Sequence, residues 1–172
     1  MVYTFKITSQ ESKNFVLEVK IDGHQSFFDL HSVIQMNCGF EPYQVASFFL
    51  TDGKGFKTME ISLMDAGFNG GAYYLMQKTK LADLIKIKDQ KLSYTFDFLD
   101  DRSFFIELTG IDMGTKLKDP LVTINKGDAP AQVLTDKIEK NATEKLQEEE
   151  EVFMDFGILD DYNELFGEME DF

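Results

Sequence analysis

The chain has 172 residues, 43% of them hydrophobic and 13% aromatic, with 17 Phe and no Trp. That is enough apolar side chain for one packed domain plus an appendage, and it excludes a chain disordered throughout. The formal net charge is −14, of which −11 falls after residue 138 (13 acids against Lys140 and Lys145), leaving −3 for the rest. An acidic tail on a near-neutral body repels nucleic-acid phosphates, so direct nucleic-acid binding is not expected.

Residues 2–8 alternate, with Tyr3, Phe5 and Ile7 on one side and Val2, Thr4, Lys6 and Thr8 on the other. Residues 15–21 do the same with Phe15, Leu17, Val19 and Ile21, so the two predict a hairpin of half-buried strands. Ser26 followed by Asp29 has the spacing of a capping box. Phe27, Leu30, Val33 and Ile34 then repeat at helical spacing up to Cys38, and Gly39 is a natural stop. A strand over 46–51, a turn at Asp52-Gly53 and a partner strand over 57–61 follow. Residues 62–78 fit no single element, and Gly67, Gly70 and Gly71 argue for a loop there. A short helix is expected over 80–86, with Thr79 as its cap and Leu81, Leu84 and Ile85 inward.

The strongest hairpin signal comes next. Leu92, Tyr94, Phe96 and Phe98 alternate with polar residues, Asp100-Asp101-Arg102 turns, and Phe104, Ile106 and Leu108 alternate again. Leu121 to Ile124 is a last short strand. The expected fold class is therefore α+β: an antiparallel sheet of several strands with one main helix packed on it, over residues 1–134. Residues 135–172 form an acidic, Phe-rich segment, expected to be helical or partly disordered. In it, acids interleave with large apolar residues.

No catalytic constellation stands out. Cys38 is the only cysteine, so neither an intramolecular disulfide nor a cysteine-based zinc site can form. At a helix C-terminus with no basic neighbour, it reads as a small core residue. His31 lies at the edge of the buried helical stripe and reads first as a hydrogen-bonded boundary histidine; a base would need a second partner. His24 sits in a turn, seven residues before it, which is not the spacing of a metal helix. Asp97, Asp100 and Asp101 crowd one hairpin and are the weak metal candidates together with His31, but turn chemistry explains them equally well. No phosphate loop or nucleophile elbow is present, and no cofactor is expected. The N-terminal run Met1 to Lys6 lacks the pattern of a signal peptide, and no apolar stretch approaches the roughly 18–20 residues needed to span a bilayer. The expected compartment is the cytoplasm, with no membrane association.

Several segments together carry a family resemblance. Leu30-His31-x-Val33-Ile34-Gln35 followed by Cys38-Gly39-Phe40 resembles a helix ending "LHxVIQ…MGW". Leu92-x-Tyr94-x-Phe96-Asp97-Phe98-x-Asp100 resembles a "YxYDFGDxW" hairpin, with Phe104 in place of the Trp. Pro120 and Gly127-x-Ala129-Pro130 resemble a "P…G…ACPPED" segment. Over roughly residues 2–132 the chain thus resembles the plasmid open-reading-frame-three-like proteins, also described as insertion-element passengers. The resemblance implies an α+β fold associated with mobile elements, not a reaction. The chain departs from the pattern where chemistry would lie. The histidine before Phe48-Phe49 is absent, and Ala129-Pro130-Ala131-Gln132 lacks the cysteine and the acidic pair.

The C-terminal segment is the most suggestive feature. Ile158, Leu159, Tyr162, Leu165 and Phe166 would line one face of a helix, and the chain closes on Phe172. These six residues are the candidate partner-binding set. The tip Glu168-Met169-Glu170-Asp171-Phe172 resembles the C-terminal peptide of bacterial single-stranded-DNA-binding proteins, which docks in basic, apolar pockets. Two readings stay open: a segment that binds another protein, and a segment that covers a groove of its own body. The rival from another class is a metal-dependent enzyme or factor using His31, Asp97 and Asp100.

Overall fold

The computed structural model describes residues 1–65 and 74–134. Its elements run β1 (Val2–Ser9), β2 (Val16–Asp22), α1 (Phe27–Cys38), β3 (Ser47–Thr51), β4 (Lys57–Ser62), β5 (Tyr74–Leu75), α2 (Leu81–Leu84), β6 (Lys91–Asp97), β7 (Arg102–Asp112) and β8 (Leu121–Lys126). The strands form one sheet in the order β5-β4-β3-β6-β7-β1-β2-β8. Both predicted N-terminal and central hairpins are present, as β1–β2 and β6–β7, and β3 pairs with β4.

The sheet is mixed rather than antiparallel throughout. β5 runs parallel to β4, with Ile61 opposite Tyr74 and Ser62 opposite Leu75. Two residues are too short for a periodic signal, which is why the stretch containing them fits no element in the sequence. Two smaller expectations also change. α2 spans only four residues and is entered at Lys80, whose backbone N–H donates to Asp83 Oδ2 at 3.0 Å. Thr79 does not cap it; its carbonyl instead accepts from the Phe27 N–H at 3.0 Å, tying this segment to the start of α1. Phe98 leaves the alternation of β6, because the register shifts between Thr95 and Asp97 and the strand ends there; its ring is half exposed in the turn.

The helix obeys its sequence signals. Ser26 Oγ accepts from the Asp29 N–H at 3.2 Å, and Asp29 Oδ2 accepts from the Ser26 N–H at 2.7 Å. Each satisfies a donor that the first turn would otherwise leave unpaired. Gly39 ends the helix at φ 65°, the left-handed conformation in which a side chain is penalised, and its N–H donates to the Gln35 carbonyl.

The core lies between α1 and one face of the sheet. Phe27, Leu30 and Ile34 of the helix are fully buried there. So are Phe5 and Ile7 of β1, Leu17 and Val19 of β2, and Tyr94 and Phe104 of the central hairpin. The phenylalanines form a continuous ring network. Phe27 meets Phe48 at 5.5 Å between centroids, Phe48 meets Tyr94 at 4.8 Å, and Phe104 meets both Phe96 (4.8 Å) and Phe15 (5.3 Å). Full burial of each such ring contributes about 1.5–3 kcal/mol before entropy is counted, which is how a chain without Trp fills a wide sheet.

Candidate functional site

Three polar side chains interrupt this core. His31 and Gln35 lie four residues apart, so both project from one face of α1. They meet the phenol of Tyr94, which rises from β6. His31 Nδ1 is 2.8 Å from Tyr94 Oη, and Gln35 Nε2 donates to the same oxygen at 2.7 Å. All three residues are buried. Burial pushes the His31 pKa down to about 4 and raises that of the Tyr94 phenol. It also pushes the Cys38 thiol up to about 12. At neutral pH the site thus holds a neutral imidazole, a neutral phenol and an inert thiol, none of them poised as a nucleophile. Gln35 Oε1 is buried and has no hydrogen-bond partner among the described residues.

The hairpin carboxylates engage other groups. Asp97 Oδ1 accepts from the backbone N–H of Leu99 (3.1 Å) and of Asp100 (3.3 Å), a local turn. Asp97 Oδ2 accepts from Arg102 Nη1 at 3.3 Å. Asp101 sits at φ 47° and pairs with Lys57 Nζ at 2.8 Å. The structure therefore places His31 against Tyr94 and Asp97 against Arg102, and does not join them in one cluster. Among the described residues no group of three or more His, Cys, Asp or Glu is arranged to hold a metal.

Arg102 gathers more partners than the sequence shows. It pairs with the hairpin carboxylate Asp97, and its guanidinium also reaches further. Nε and Nη2 grip Glu11 in a two-point bond at 2.9 and 2.8 Å. Nη2 also donates to the Ala131 carbonyl at 2.6 Å, and Nη1 to the Gln132 carbonyl at 3.2 Å. The group stacks 5.0 Å from the Phe96 ring centre. All five N–H donors are thus used. Gln132 adds a second tie: its Oε1 accepts from the Glu41 N–H at 2.7 Å, and its Nε2 donates to the Glu41 carbonyl at 2.9 Å. The segment Ala129 to Gln132, which departs from the family's cysteine-bearing pattern, is here a backbone anchor. One signal was available: Arg102 is the only arginine among 17 cationic residues. A lone arginine in a lysine-rich chain marks a place where a planar fork is needed.

The opposite face of the sheet is open. A groove of about 600 Å³ runs across it, bordered by Lys6, Lys57 and Lys91, with Phe105 half exposed along it. Lys57 lies over the Phe49 ring, 4.7 Å from its centre, and also donates to Thr95 Oγ1 at 3.1 Å. Glu107 stands opposite both Lys6 and Lys91 in the strand registers, so the lysines' charge there is partly offset. The candidate partner-binding residues Ile158, Leu159, Tyr162, Leu165, Phe166 and Phe172 lie outside the described residues, as do Gly67, Gly70 and Gly71. Among the described residues no helix is long and apolar enough to cross a membrane.

A mostly antiparallel sheet with one face under a helix and the other open defines an α+β protein. More specifically, the chain belongs to the family described as plasmid pRiA4b ORF-3-like protein, which it matches over residues 1–136. Among solved structures it resembles the protein of unknown function MM3350 from Methanosarcina mazei Go1. The TM-score is 0.59 and the identity 24%, over 75% of this chain and 72% of that one, a likeness of fold. No curated protein matches.

Proposed function

We propose that this protein is a non-catalytic interaction module, in which an α+β body carries an acidic C-terminal segment that binds a partner protein or the body itself. The observation that carries the reading is the anchor at Gln132. Arg102 holds the Ala131 and Gln132 carbonyls, and the Glu41 backbone holds the Gln132 side-chain amide, four hydrogen bonds in all. Beyond it, the sequence changes to 14 acids and large apolar side chains. A rigid attachment followed by a segment of anchors and charges is the arrangement of a tethered ligand, which gains local concentration from its tether.

The test combines limited proteolysis with capture. Rapid cleavage between Glu144 and Asp155 that leaves a folded body supports the partner-binding form; resistance supports binding to the body. Proteins captured by the full chain should be lost from a chain lacking residues 139–172, and from one with Phe153, Phe156, Phe166 and Phe172 changed to Ala. Cleavage as described with an unchanged captured set after both changes would sink the proposal.

A further inference from the structure

The phenol of Tyr94 has one proton and stands between two nitrogen-bearing side chains. Gln35 Nε2 can only donate, and it does so to the phenol oxygen at 2.7 Å. The phenol proton is therefore directed at the other neighbour, His31 Nδ1, at 2.8 Å. That assigns the imidazole's own proton to Nε2. The relay runs from Gln35 through Tyr94 to His31, and it leaves Gln35 Oε1 buried without a partner among the described residues.

An imidazolium would have no acceptor to offer. Its Nδ1–H would donate to the phenol oxygen, and the phenol proton would need a new acceptor. Gln35 Oε1 can become that acceptor by a half-turn of the amide. The group left unpaired in one protonation state is the one required in the other. We propose that His31, Tyr94 and Gln35 form a two-state, acid-responsive relay between α1 and β6, reversed by protonation of His31 together with rotation of the Gln35 amide. The groups packed on the imidazole are neutral: the Tyr94 phenol from the sheet and the Phe28 ring from α1, with the Cys38 thiol one turn beyond Gln35. Burial is the cause of the imidazole's lowered pKa, about 4 against 6.5 for a free histidine. Its folded pKa lies below its unfolded one. The forward relay is therefore intact above pH 6.5, and its contribution is lost as pH falls from there through about 4.

The experiment is nitrogen-15 NMR of the full chain across this range, with a His24→Gln variant to assign the two imidazoles. At pH 7, His31 should carry its proton on Nε2. On acidification, the Gln35 side-chain amide signals should move with the His31 midpoint. Gln35→Met removes the acceptor of the reversed state and should lower His31's proton affinity by about threefold or more, the worth of part of one hydrogen bond. A proton on Nδ1 at pH 7, Gln35 signals independent of His31, or a His31 midpoint unmoved by Gln35→Met would each overturn the relay.

Discussion

Arg102 and Gln35 are each 8% exposed, and both are polar groups taken out of water by the same fold. Arg102 finds a partner for every donor, drawn from three segments, at Glu11, Asp97 and residues 131–132. Gln35 finds one, and among the described residues its oxygen has no partner. Equal burial thus accompanies opposite states of satisfaction. A buried polar group fully hydrogen-bonded fixes a unique arrangement; one half-satisfied carries a desolvation penalty that only a second use would offset.

Removing Arg102 should have the largest effect. Arg102→Ala strands Asp97, Glu11 and two backbone carbonyls at once. The expected loss is about 3 kcal/mol in urea unfolding, toward the lower end for a broken buried pair because Glu11 still reaches water. Arg102→Lys should recover less than half of it, since an ammonium cannot meet Glu11 and two carbonyls in one plane. A lysine variant as stable as wild type would show that charge alone matters here, and would dissolve the contrast with Gln35.

The same contrast separates what sequence makes legible from what it hides. α1 is readable because Ser26, Asp29 and Gly39 act on neighbours within four residues, and the strands because alternation is local. His31 is placed on the right helix for that reason, although it is buried rather than at the edge of the stripe. Its partner Tyr94 is not readable, being 63 positions away. Glu11 is 91 positions from Arg102, and the lone-arginine signal says that a fork is needed without saying where it points. β5 escapes because parallel pairing of two residues leaves no period. The candidate site is therefore less legible than the fold: its residues are placed on the right elements, but their partners come from topology.

Tyr94→Phe keeps the ring in its aromatic network and removes the shared oxygen. Both His31 Nδ1 and the Gln35 amide then lose their partner in a buried site, and the expected loss is about 2 kcal/mol by urea unfolding. This tests the other side of the comparison. A loss as large as that of Arg102→Ala would mean that the half-satisfied cluster holds the fold as firmly as the saturated one.

The smallest effect is expected at Gln35 itself. Gln35→Met has nearly the same shape, removes the unpaired oxygen and gives up one hydrogen bond to an oxygen that still donates to His31. The gain from deleting a stranded acceptor and the loss of a neutral hydrogen bond are each about 1 kcal/mol, so stability at pH 7 should change by less than that in either direction. A near-zero change here beside about 3 kcal/mol at Arg102 would establish that burial does not rank these two residues, and that the number of satisfied groups does. A large loss at Gln35 would instead mean that its oxygen holds an ordered water whose bonds are as necessary as those of the guanidinium.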